Sequence, residues 1–141
     1  MSFSEYFSPL VGRLVLAWFF LSQVARYGGT WDHTILEMKV AEVPAAPLVL
    51  VFVLTLLILG SLSLIFGFHT RHGAMLLFAV TVIAAMLMHA FWRLSDYDGR
   101  QAEFDLFALD IAVAGGLLLL VGMGPGPIAI DNRMGGGKKK K

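Results

Sequence analysis

The 141-residue sequence predicts an all-α integral membrane protein: a four-helix up-down bundle with a short interfacial helix between its first two spans. Composition is the first ground. Hydrophobic residues make up 57% of the chain and charged residues 15%, against about 45–50% and about 25% in soluble domains. Its mean hydropathy is +0.75. Second, four apolar runs approach the ~20 residues that a ~30 Å hydrocarbon core demands at ~1.5 Å per residue. Third, proline, glycine and polar clusters separate those runs. A soluble chain of this size has one core and cannot hide four such segments.

The first span is expected over residues 9–26, with Ser8 as N-cap, Pro9 in the first turn and Gly28-Gly29 as terminator. Between spans one and two, Thr34 and Glu37 have capping-box spacing ahead of Met38 and Val40. They predict a short amphipathic helix in the interface with Trp31 near its start. The second span covers residues 47–68 and opens with Pro47, while the third covers residues 73–92. His69-Thr70-Arg71-His72 leaves room only for a tight antiparallel hairpin between them. A polar connection follows, with a turn around Asp98-Gly99, and then the fourth span over residues 104–123. Gly124-Pro125-Gly126-Pro127 ends it. Residues 1–134 thus read as one transmembrane domain and residues 135–141, Gly-Gly-Gly-Lys-Lys-Lys-Lys, as a flexible basic tail.

An even number of spans places both termini on one side. The basic residues Arg13, Arg71, Arg133 and Lys138 to Lys141 put that side in the cytoplasm. MSFSEYFSPL lacks the basic n-region and cleavage site of a signal peptide. A net charge of +1 without a basic stripe argues against nucleic acid as a partner. With no cysteine, disulfides, thiolate metal sites and thiol redox relays are excluded.

Ionisable groups at membrane depth are costly, so the few present are informative. Asp110 lies inside span four, and His89 near the end of span three has Arg93 four residues on, on one helical face. These three are the candidates for chemistry: a histidine and a carboxylate suit quinone-headgroup binding or proton relay. The alternative is an interhelical polar clamp. Arg13, Gln23 and Trp92 are candidate contacts for a quinone or a lipid, although Arg13 is near enough to the interface to snorkel and Arg26 caps its helix. Phe19, Phe20, Phe91 and Trp92 read as lipid or interface anchors. His89 is the one histidine within a span, so no haem or metal ligand set is expected. The chain alone is expected to bind no cofactor. Ala108, Ala112 and Gly116, and likewise Gly60, Ser63 and Gly67, form small-residue stripes for helix packing.

Several fragments together resemble the DoxX family of small four-span bacterial membrane proteins. They are Val11-Gly12-Arg13-Leu14, Leu59-Gly60-Ser61, Phe66 to Arg71, Met88-His89-Ala90-Phe91-Trp92, Ala114-Gly115-Gly116-Leu117, Gly124-Pro125-Gly126 and Ile130-Asp131. The resemblance implies an inner-membrane protein associated with redox assemblies, among them a thiosulfate:quinone oxidoreductase. Family members often carry an acidic residue early in span two, where this chain is apolar around Leu57, and an amide where it has Asp110. The expected function is therefore an accessory subunit that packs against lipids and other membrane subunits in a complex handling electrons or quinones. The alternative is a quinone-linked oxidoreductase subunit with its pocket at Asp110, His89 and Arg93. A small transporter is the least favoured, since no span has a Pro/Gly-broken centre.

Overall fold

Helix α1 (Phe3–Gly29) is capped at Ser2, six residues before the expected Ser8 cap, because Ser2 and Glu5 close a capping box. The Ser2 hydroxyl accepts from Glu5 N–H, and the Glu5 carboxylate accepts from Ser2 N–H. Pro9 lies inside the helix, and Gly28 and Gly29 are its last residues. The computed structural model describes residues 2–134; the basic tail lies outside the described residues.

Helix α2 (Trp31–Val40) lies where the short interfacial helix is expected, but its N-cap is Thr30. Thr34 is in its interior with its hydroxyl donating to the Thr30 carbonyl, so no capping box forms with Glu37. Its buried residues are Thr34 and Met38, and Met38 packs on Ala46 and Leu50 at the start of α3 (Ala46–Phe66). Helix α4 (Thr70–Met88) starts only four residues after α3 ends. Gly67 (φ 66°) and His69 (φ 48°) both take left-handed backbone to make that reversal. Thr70, Arg71 and His72 therefore belong to α4 and not to the connection.

At its far end α4 stops at Met88, one turn short of expectation, and a 3₁₀ turn (Phe91–Arg93) follows. Helix α5 (Tyr97–Met123) begins earlier than expected because Asp96 caps it by accepting from Gly99 N–H; Asp98 and Gly99 are in its first turn. Gly124 (φ 84°) and Gly126 (φ 79°) then turn the chain back, and α6 (Ile130–Met134) lies across the hairpin end of the bundle.

Among the described residues, α1, α3, α5 and the segment from α4 through the 3₁₀ turn are long and apolar enough to cross a membrane. Helix α1 packs on α3, α3 on α4 and α4 most extensively on α5, whereas α1 and α5 touch only lightly. The core is built from Ala17, Phe20, Leu57, Leu64, Ala74, Leu77, Leu117 and Leu120. Small residues set the α3–α4 spacing: Gly60 faces Leu77, and Gly73 faces Ser63. The stripe on α5 works otherwise. Ala108 and Ala112 are exposed, and the inward face is Ala114, Leu117 and Leu120. Phe20, expected at the lipid surface, is in the core.

Candidate functional site

The thin seam between α1 and α5 leaves a cavity of about 180 Å³ at the end of the bundle nearest the α4–α5 connection. Most of its wall is apolar: Phe19 and Phe20 from α1, Val53 and Leu57 from α3, Val80 and Met88 from α4, and Leu106 and Leu109 from α5. Its polar groups come from three directions. Gln23, Arg26 and Tyr27 lie on successive turns of α1, Thr81 on α4, and His89 and Asp110 close the far side.

His89 owes its position to the helix end. As the residue that caps α4, it has left the helical path, and its ring reaches across to α5. There Nδ1 makes a 2.8 Å hydrogen bond with Glu103 Oε2, and Nε2 lies 3.7 Å from Asp110 Oδ2. Glu103 and Asp110 are seven residues apart, two turns on one face of α5, and the imidazole fits between them. The side chains of His89 and Asp110 are 18% and 20% exposed, while Glu103 nearer the bundle end is 34% exposed.

Two more polar atoms face the cavity. The Gln23 side-chain oxygen and the Thr81 hydroxyl are buried without a hydrogen-bond partner among the described residues. A buried polar atom left unpaired costs about 1–3 kcal/mol, so a partner entering the cavity recovers that energy. Arg26 at the rim donates to the Tyr27 hydroxyl and stacks 4.8 Å from its ring centroid.

The structure therefore brings His89, Asp110 and Gln23 together and leaves out three other candidates. Arg93 is not on a helical face with His89, because α4 ends before both; it is exposed on the 3₁₀ turn, away from the cavity lining. Trp92 joins an aromatic cluster in which it stands edge-on to Phe107, and it is 47% exposed. Arg13 does not snorkel to the interface. It is 1% exposed, ten residues into α1, and donates to the Ile128 carbonyl beneath the returning C-terminal segment. Glu103, Tyr27 and Thr81 were not anticipated. The signal for Glu103 was its seven-residue spacing from Asp110. For Tyr27 it was the i, i+4 spacing from Gln23.

At the opposite end a shallower depression is lined by His69, Arg71, His72, Pro125, Asp131 and Asn132. Two of its polar groups are used structurally: Asp131 accepts from the His69 and Thr70 N–H groups and so caps α4, and Asn132 donates to the Gly126 carbonyl. Burial pushes the Asp131 carboxyl pKa up, but the hydrogen bonds from Thr70 and His69 outweigh it and hold the group below the usual carboxylate value. Among the described residues no group of three or more His, Cys, Asp or Glu side chains is placed to hold a metal ion.

Fold and site together define a multi-pass α-helical membrane protein with a polar-tipped cavity open along a helix seam. The chain belongs to the DoxX family, whose sequence profile matches residues 8–90. It is similar to Inner membrane protein YqjF of Escherichia coli (strain K12), 30% identical over 126 residues that cover 86% of this chain and 88% of that protein. Inner membrane protein YphA of the same organism is 27% identical over 103 residues, 73% of each chain. The Surfeit locus protein 4 homolog of Drosophila melanogaster is 25% identical over 127 residues, 89% of this chain but only 40% of that longer protein. No solved structure matches the chain.

Proposed function

We propose that this protein is an inner-membrane subunit of a larger assembly handling quinones, and that its cavity receives the headgroup of the quinone. The observation that carries the reading is the cavity itself, with unpaired Gln23 and Thr81 atoms and the His89–Asp110 pair on a wall that is otherwise apolar. Size supports it. A cavity of ~150 Å³ holds one benzene ring, so about 180 Å³ takes a single substituted ring and leaves an isoprenoid tail outside. Position supports it too: Leu106 and Leu109, which line the cavity, are 37% and 48% exposed on the lipid side. A quinone brings two-electron chemistry; in this reading its redox partner is on another subunit. This chain's residues bind and orient the ring: Thr81, Arg26 and the Gln23 amide, turned so that its NH2 points into the cavity, donate hydrogen bonds to the quinone oxygens, and His89 and Asp110 exchange protons with it. The relatives named as inner membrane proteins support that location, and the basic residues on the hairpin side support cytoplasmic termini.

The test is equilibrium binding of ubiquinone-1 to the protein in lipid nanodiscs. Saturable binding is expected, weakened about tenfold or more in Gln23→Leu/Thr81→Val, since each lost hydrogen bond contributes about 0.5–1.5 kcal/mol. Equal affinity in the double variant contradicts the assignment. Purification in mild detergent tests the assembly, with stoichiometric membrane partners as the expected outcome.

A further inference from the structure

We propose that Asp110, His89 and Glu103 form a proton path connecting the cavity with the α4–α5 end of the bundle. The proposal deepens the reading of the cavity as a headgroup site and depends on it for what is protonated there. Its ground is one imidazole placed between two carboxylates, 2.8 Å from Glu103 and 3.7 Å from Asp110.

A neutral imidazole has one N–H and one acceptor nitrogen, so it can donate to only one of two flanking carboxylates. Three arrangements satisfy the site. In one, an imidazolium stands between two ionised carboxylates. In the second, a neutral ring donates to Glu103 beside a protonated Asp110. In the third, a protonated Glu103 donates to Nδ1 while Nε2–H faces an ionised Asp110. All hold the same number of protons and the same net charge, and the first differs from each of the others by a single proton moved between the ring and one carboxylate. The 3.7 Å separation is too long for a hydrogen bond, and an approach of under about 1 Å by two side chains closes it.

The exposures give the path its direction. Asp110 (20%) lines the cavity, His89 (18%) is the link, and Glu103 (34%) is in the second turn of α5, close to the exposed Arg100, Gln101 and Asp105. In the inward direction Glu103 takes a proton from water and passes it to Nδ1 as Nε2 releases one to Asp110. The ring's proton count is unchanged, no electrons move, and the starting tautomer returns when Nδ1 loses its proton and Nε2 is reprotonated through water. The other titratable groups facing this trio are Arg26 and Tyr27 on α1; α3 contributes only the apolar Val53 and Leu57 to the cavity.

The test reads proton traffic at His89 without a redox reaction. Full-length protein with ¹⁵N-labelled histidine is placed in nanodiscs, and the His89 ring signals among the four histidines are assigned by their loss in His89→Asn. Water exchange of the ring protons is then measured. A positioned carboxylate speeds proton transfer by about 10²–10⁴-fold, so Glu103→Gln is expected to slow exchange by about tenfold or more, and Glu103→Asp to restore much of it. A purely structural hydrogen bond predicts the opposite, since removing it frees the ring and exchange accelerates. Unchanged or faster exchange in folded Glu103→Gln overturns the proposal. Slowed exchange without ubiquinone-1 binding keeps the proton path and removes the quinone, whereas binding with unchanged exchange removes only the path.

Discussion

Gly60→Ala tests the packing that holds α3 against α4. A methyl built at Gly60 falls 2.5 Å from Leu77 Cγ and 2.7 Å from its Cδ2, and Leu77 is fully buried. The clash is with the branch point of the side chain, so moving its end alone cannot relieve it. Over-packing of this kind costs about 1–3 kcal/mol, offset by the roughly 0.8–1 kcal/mol that alanine gains over glycine in a helix. The expected net loss is about 0–2 kcal/mol, where an unobstructed site would gain the roughly 0.8–1 kcal/mol of helix propensity, read as the midpoint in reversible SDS unfolding from mixed micelles. Leu77→Ala alone should cost about 2–5 kcal/mol by leaving a cavity. The pair together should cost less than the sum by about 1 kcal/mol, because each change accommodates the other. Gly115→Ala is the control: nothing is within 4 Å of that added methyl, and stability should hold or rise. If Gly60→Ala behaves like Gly115→Ala, the close approach of α3 and α4 at this level is refuted.

Three further outcomes are expected. Asp131 has a lowered folded pKa, so its stabilisation is complete above the unfolded carboxylate value of ~3.9. That stabilisation is lost as pH falls through the lower folded value; Asp131→Asn, costing about 1 kcal/mol as a weakened cap, should flatten this part of the stability–pH curve. Arg13→Leu removes the donor to the Ile128 carbonyl, worth about 1–3 kcal/mol for a charged hydrogen bond. The segment after Met123 should then open more often, with trypsin cutting at Arg133 about fivefold faster or more. Because the chain has no cysteine, Asp98→Cys and Arg133→Cys can be labelled singly with an impermeant maleimide, and they should react from opposite sides of the membrane.

The spans were legible because each depends on a local property, a long apolar run interrupted by proline or glycine. Their ends were not. Helix α1 starts at a capping box outside the apolar run, and α5 starts at Asp96 within a segment that reads as a polar turn. Asp110 and His89 were recognisable from the cost of polarity at depth. Their relation to Arg93 was misjudged because helical spacing was carried past Met88, where α4 ends. Arg13 was beyond reach for another reason: its hydrogen-bond acceptor is 115 residues away, in a segment that folds back only after two glycines of positive φ. The cavity was equally hidden, since it results from α1 and α5 failing to close against each other.

Photolabelling with an azido-substituted short-chain quinone tests the central claim most directly. Label should concentrate in peptides carrying Gln23 to Tyr27, Thr81 to His89 and Leu106 to Asp110, and excess ubiquinone-1 should suppress it. Label spread along the exposed faces of all four spanning helices, indifferent to competitor, would contradict a headgroup site in this bundle.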